Sequence, residues 1–494
     1  TFGGSIHGTG NTASAVTDIT SLDGGSAAVT VNAIDSNIED ITITGPTTIK
    51  GDITTASDGV ISITGNTTIF GDITIDTKTG GGANVLITGT LDPTANTDDL
   101  DINAGTGTVE ITGNIGGGGT AFATIDLNAV ASTANPSTST GGVTLGGDIG
   151  VTGTARSGVT NIGNAETTGA ITLSGTMYHT SGALTIKGGS YAIGTGSTLT
   201  TVKTSGNVAV EFGTGDLTVR VGGLTVDAGN ANITFGGNIL GHADGDAAPI
   251  TLDAGTATLT VLGIGHDGTN TNAEINEVDL TGGTISTNGT IFTTGTSSNA
   301  GDVELSGATS LTGHTTINTS SGGGSVTFNG DGGIDGGKNL TVLSGAGNIS
   351  IGGKIGDTTA LTGVSLNATG TGTGDITIAQ IGKDNLTSGV TGDVTIGTSS
   401  TDLVDFDGEY FSMNGILTVT AEGGETIKFT GTGATTVKTA DDAITFSTGD
   451  LQLAQNLTIN STGGAISIGN VYATGGTRTL TINADATEDG SDND

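Results

Sequence analysis

Apolar and small polar residues alternate in short runs along the whole chain, and glycine interrupts the alternation every few positions. The runs read Ile41-Thr42-Ile43-Thr44-Gly45 and Ile61-Ser62-Ile63-Thr64-Gly65, with later versions at Val143-Thr144-Leu145-Gly146-Gly147, Ile233-Thr234-Phe235-Gly236-Gly237 and Ile349-Ser350-Ile351-Gly352-Gly353. A period of two dominated by β-branched residues predicts half-buried strands of about three to five residues, with alternate side chains pointing inward. Helical periodicity is nearly absent, because Gly and Thr occupy the positions where a helix needs Leu, Ala or Glu.

A second phrase often follows the first: Ile125-Asp126-Leu127-Asn128-Ala129, Ile250-Thr251-Leu252-Asp253-Ala254 and Val364-Ser365-Leu366-Asn367-Ala368. Imperfect repetition from end to end is the signature of stacked repeats, none of which buries its apolar face alone. The two phrases predict an all-β fold, a single long parallel β-solenoid of two or three short strands per turn. Turns of about 20 residues would number on the order of 20, stacked about 4.8 Å apart into a rod of about 100 Å. Gly51-Asp52, Gly71-Asp72, Gly147-Asp148, Gly237-Asn238 and Gly353 are the expected corners between strands. Asn and Asp after the second strand suit another corner, since they tolerate left-handed backbone and accept from their own chain two residues on. Residues 1–28 lack clean repeats and are expected to form a cap or assembly segment. Residues 29–486 are expected to form the solenoid, with an irregular break near 401–415, and 487–494 an acidic tail or linker.

Composition narrows the alternatives. With 92 Gly, 4 Pro and 3% aromatic residues the core must be thin. Disorder is the competing reading of such a chain, but the glycines punctuate strand-like runs rather than dilute them. Tandem sandwiches and propellers need longer strands and regular aromatic marks, which are missing.

The balance of 12 Lys plus Arg against 49 Asp plus Glu, net −37, repels nucleic acid and anionic polymers and favours divalent cations as counter-partners. There is no Cys, so cohesion falls to ladder hydrogen bonds and stacked side chains. No apolar run is long enough for a transmembrane helix. The first residues, Thr1-Phe2-Gly3-Gly4-Ser5, carry neither Met nor a basic stretch, which fits an exported chain with its signal removed.

The recurring Gly-Gly-Asp-Ile-Gly, Ile-Thr-Ile-Thr-Gly and Val-Ser-Leu-Asn-Ala-Thr-Gly runs resemble the repeat regions of large bacterial exported surface proteins, the filamentous-haemagglutinin-type and autotransporter-type β-helix adhesins. The resemblance covers nearly all of the chain. It implies a right-handed parallel β-helix, export, and adhesive or scaffold work at a cell surface.

Chemistry is sparse. Arg156, Arg220 and Arg478 are far apart, so an enzyme on acidic polysaccharide has few groups to hold a uronate. His7, His179, His242, His266 and His314 show no zinc spacing, and His242-Ala243-Asp244-Gly245-Asp246 reads as a solvated loop. Calcium is the better candidate cation. Asp405-Phe406-Asp407-Gly408-Glu409 resembles part of a calcium loop, and Asp331 with Asp335 lies in a Gly-rich stretch similar to a calcium-binding β-roll. Asp98-Asp99 with Asp101, and Asp441-Asp442, are further acidic knots. Thr-x-Thr runs raise ice binding, which needs a flat regular rank.

The expectation is therefore a non-enzymatic extracellular solenoid: a subunit of a filament, sheath, matrix or surface layer, or an adhesin stalk. It would associate with itself as a homopolymer or array and meet cell-surface glycans. The alternatives are a polysaccharide-active β-helix enzyme and an ice-, calcium- or glycan-binding module.

Overall fold

A computed structural model describes residues 6, 17–35, 38–55, 59–77, 81–129, 139–151, 154, 157–242, 247–265, 275–295, 301–367 and 374–484. Among these there is no helix; parallel strands stack as a β-solenoid of about 17 turns. The chain divides into two compact units, one of residues 1–242 with Leu252–Gly255 and one of residues 243–251 with 256–494.

In the first unit each turn has three faces. The first face runs from Thr17–Asp23 through Ile38–Thr44, Ile61–Thr64, Val85–Thr88 and Val109–Ile111, and continues to Ile239–Gly241. The second begins Val29–Val31, Thr47–Ile49, Thr67–Ile69, Leu91–Pro93 and reaches Leu224–Asp227. The third includes Ile73–Asp76, Asp99–Asn103, Phe122–Leu127, Ser157–Ile162, Leu184–Ile186, Val210–Phe212 and Ile233–Phe235. Thr17–Asp23, within the expected cap, joins the first-face ladder in parallel with two register irregularities.

Register explains the repeated phrase. Ile41 pairs with Ile61 and Ile61 with Val85, while Ile43 pairs with Ile63 and Ile63 with Ile87, so like side chains stack into inward columns. All of these are fully buried. Each such burial contributes about 1.5–3 kcal/mol, and the parallel ladder holds the columns in line. Ladder partners lie from 18 residues apart, as between Val29 and Thr47, to 35, as between Asp126 and Asn161. Turns are therefore longer than expected and fewer, because loops of unequal length leave the ladder at the corners.

A buried hydroxyl closes many of these loops. Thr55 donates to the Gly59 carbonyl, Thr77 to Ala83, Thr204 to Val208, Thr293 to Gly301, Ser344 to Gly347 and Thr439 to Asp442. The sequence pattern assigned threonine to the outside. Inside, its hydroxyl is satisfied by the loop carbonyl, so burial carries no unpaired-donor penalty.

In the second unit, Ile275–Phe292 and Val303–Asn318 are single long strands that pass the corners through register shifts. Gly353, expected at an open corner, lies inside the strand Ile349–Ile355, where the register shifts between Ile351 and Lys354. A glycine there lets the backbone bend without leaving the sheet.

The stretch 401–415, expected as a break, carries the strands Leu403–Phe406 and Tyr410–Ser412, both paired to turns on either side. Phe406 and Phe411 are fully buried. Phe406 stacks on Phe429 at 4.8 Å and 7°, and meets Phe411 edge-on at 4.8 Å and 82°. The rings are core because each has a ring partner on its own turn or the next.

The last described turn comprises Ile466–Ser467, Val471–Ala473 and Leu480–Asn483. Val471 and Ile482 extend the columns of buried Leu451 and Ile459, yet are 39% and 44% exposed.

Candidate functional site

The corner residues form a set of clamps between turns. Asp52 Oδ1 accepts from the Thr74 N–H at 2.8 Å, and Asp72 Oδ1 from the Asp99 N–H at 3.2 Å. Asp148 Oδ1 accepts from the N–H groups of Thr176 at 2.6 Å and Met177 at 2.9 Å. Asn238 donates from both its backbone and side-chain nitrogens to Asp216 Oδ1. The Oδ1 atoms of Asp302, Asn348 and Asp393 accept from the N–H groups of Ser325, Asp375 and Ile416. In each of these the acceptor belongs to the earlier turn and the donor to the next.

The second-phrase corners behave as expected of Asn and Asp. Asp227 and Asp253 accept from the N–H two residues on. Asn128 is left-handed at φ 50° and fully buried, accepting from Ala104 N–H at 2.7 Å. The glycines beside the first-phrase corners permit close approach: a Cβ on Gly51 would lie 1.7 Å from the Asn32 carbonyl oxygen, and on Gly237 2.1 Å from that of Gly215. Gly71 has φ +83°, and a Cβ on Gly147 would meet Gly113 and Asn114.

The five calcium candidates do not gather. Asp405 and Asp407 share the Thr430 hydroxyl, at 2.6 and 3.2 Å. Glu409 takes the Thr432 hydroxyl at 3.2 Å instead. Asp335 is a clamp, accepting from the N–H groups of Thr358 and Thr359 at 2.8 Å, and Asp331 is exposed. Among the described residues no three His, Asp or Glu side chains are grouped to hold a metal ion. Alternation puts Asp405 and Asp407 on the same side, but the Asp331 and Asp335 carboxylates belong to other turns, so the five are not brought together. Asp98 caps its own corner, accepting from Thr94 and Ala95 N–H. His7, Arg156, His266, Asp244, Asp246 and the tail 487–494 lie outside the described residues.

A convergence of polar groups lies on the outward side of the third face in the first unit. Parallel register lines up Asp126, Asn161, Thr185 and Glu211 on successive turns. Asn161 Nδ2 donates to Asp126 Oδ1 at 2.7 Å, and Lys187 pairs with Glu211 at 3.0 Å. Two adjoining hollows of about 360 and 250 Å³ lie along this line and share Ala165 and Lys187. Their walls are low because Gly163, Ala165 and Gly213 carry little side chain. A Cβ on Gly163 would sit 2.2 Å from the Lys187 carbonyl oxygen. Asn164 anchors the wall, donating to the Asn128 and Ser139 carbonyls at 2.8 and 3.0 Å.

Asp126 and Glu211 are three turns apart, roughly 14 Å at the parallel-strand spacing. A glycosidase carboxylate pair needs about 5–9.5 Å, so these two do not form one. Elsewhere, Lys203 bridges to Asp227 at 2.5 Å and pairs in register with His179. Burial holds the His179 imidazole below its usual pKa. None of these groups was singled out by a motif, since the residues that meet are a turn apart in sequence.

The fold and its clamps define the class of this chain, a β-solenoid repeat protein. No family model, no curated protein and no solved structure matches it.

Proposed function

We propose that this chain is a non-enzymatic structural protein working outside the cell, as a subunit of a filament, sheath, matrix or surface layer, or as the stalk of an adhesin. What supports the reading is the use to which the recurring polar residues are put: the corner Asp and Asn side chains join each turn to the next. Such side chains are spent on cohesion along the stack, the direction in which a scaffold bears load. The likeness of the repeats to haemagglutinin-type adhesins points the same way.

Self-association belongs to the same proposal. Val471 and Ile482 expose apolar side chains, and a second copy of this chain offers such surface a partner of the same kind.

Electron microscopy over a concentration series, combined with single-molecule pulling, tests both parts. Expected are end-to-end assemblies and stepwise release of roughly one turn at a time. Isolated globules at every concentration, together with turnover of a glycan, would overturn the proposal.

A further inference from the structure

We propose that the groove along the third face of the first unit, lined by Asp126, Asn161, Thr185, Lys187, Glu211 and Thr214, binds a neutral, hydroxyl-rich linear glycan lying parallel to the solenoid axis. This goes beyond a scaffold role and does not depend on self-association.

The ligand class follows from the groups present. The strands under the groove already exchange backbone hydrogen bonds with turns on both sides, so no edge is available to capture a peptide strand. No aromatic ring lines it, which disfavours a flat aromatic ligand or single-stranded nucleic acid. Two carboxylates against one amine repel uronates and phosphates. What remains is an alternation of acceptors and donors suited to hydroxyl groups: carboxylate, amide, hydroxyl, amine, carboxylate.

Asp126, Asn161, Thr185 and Glu211 recur at the turn spacing, about 4.8 Å, the scale of one sugar ring, and Lys187 shares the turn of Thr185. They are also held in place before binding. The amide of Asn161 is oriented by Asp126, and Lys187 by Glu211, so little side-chain entropy is lost when a chain docks. The glycine and alanine walls leave the line open from turn to turn, which selects a chain over a single sugar.

The test is titration calorimetry of the whole chain against a panel of neutral linear hexasaccharides built from glucose, mannose, galactose or N-acetylglucosamine, with the matching disaccharides and a hexauronate. At least one neutral hexasaccharide is expected to bind, more tightly than its disaccharide and than the hexauronate. Ala165→Trp, which fills the residue shared by both hollows without touching the ladder, should weaken binding at least about tenfold. Asp126→Ala should weaken it comparably, with the thermal transition of each variant checked against the parent. Binding by none of the panel, preference for the hexauronate, or affinity unchanged in a folded Ala165→Trp chain would each overturn the assignment.

Discussion

A single carboxylate oxygen at a corner holds two neighbouring turns together. Asp148 accepts from two backbone N–H groups and from the Thr176 hydroxyl. Removing it in Asp148→Ala leaves those donors without that acceptor, at a cost of about 1–3 kcal/mol. Asp148→Asn keeps the oxygen and should retain most of the protection. Amide hydrogen exchange at Thr176 and Met177 reads the difference locally, which suits a stack that need not unfold in one step.

Charge gives a second residue-scale prediction. Burial first, then the Glu277, Glu304 and Asp302 carboxylates, hold the Asp279 carboxyl above its usual pKa. The folded chain thus binds this proton more readily than the unfolded one. The favourable contribution is complete below the unfolded pKa and is lost as pH rises through the raised folded value. Asp279→Asn should therefore melt higher than the parent at pH 7, with the gap closing near about pH 3, where the parent carboxyl is also neutral. An equal gap at both pH values would show that charge is not the cause. At this scale the sequence made the corner Asp and Asn visible as turn formers. Their acceptor role was hidden where the partner lies a whole turn away.

Strands and their corners impose tighter limits than single hydrogen bonds. Gly51→Ala would push a methyl group to 1.7 Å from the Asn32 carbonyl oxygen, so the turn must shift bodily. Loss of the sharp thermal transition, or its displacement by several degrees, is the expected result, whereas an unchanged melt would mean that the corner is looser than its geometry. Phe429 lies between Phe406 and Phe446, at 4.8 and 5.9 Å, and is fully buried. Phe429→Ala should cost about 3–5 kcal/mol, and limited proteolysis should then cut within the strands that carry its ring partners. The alternation of Ile, Thr and Val was enough to place most strands and their inward sides. The aromatic stretch at 406–411 read as an irregularity because its stacking partner Phe429 comes from the next turn.

For the molecule as a whole, the consequential feature is the exposed apolar surface of Val471 and Ile482. Replacing these side chains, in Val471→Lys with Ile482→Lys, should abolish concentration-dependent association measured by sedimentation while leaving the circular dichroism of the parent. Undiminished association would place the contact elsewhere. A groove built from Asp126, Asn161, Lys187 and Glu211 belongs to this scale too, since four separate turns contribute to it.

The division between what the chain encodes locally and what the fold assembles follows from the stacking itself. Period-two alternation, β-branched residues and glycine punctuation act within a few bonds, so the solenoid class and the inward columns were readable from the sequence alone. Turn length, the buried loop-closing threonines, the direction of the clamps and the grouping of polar residues depend on which residue sits above which. That pairing is set by loop lengths that vary from turn to turn, and only the tertiary structure decides it.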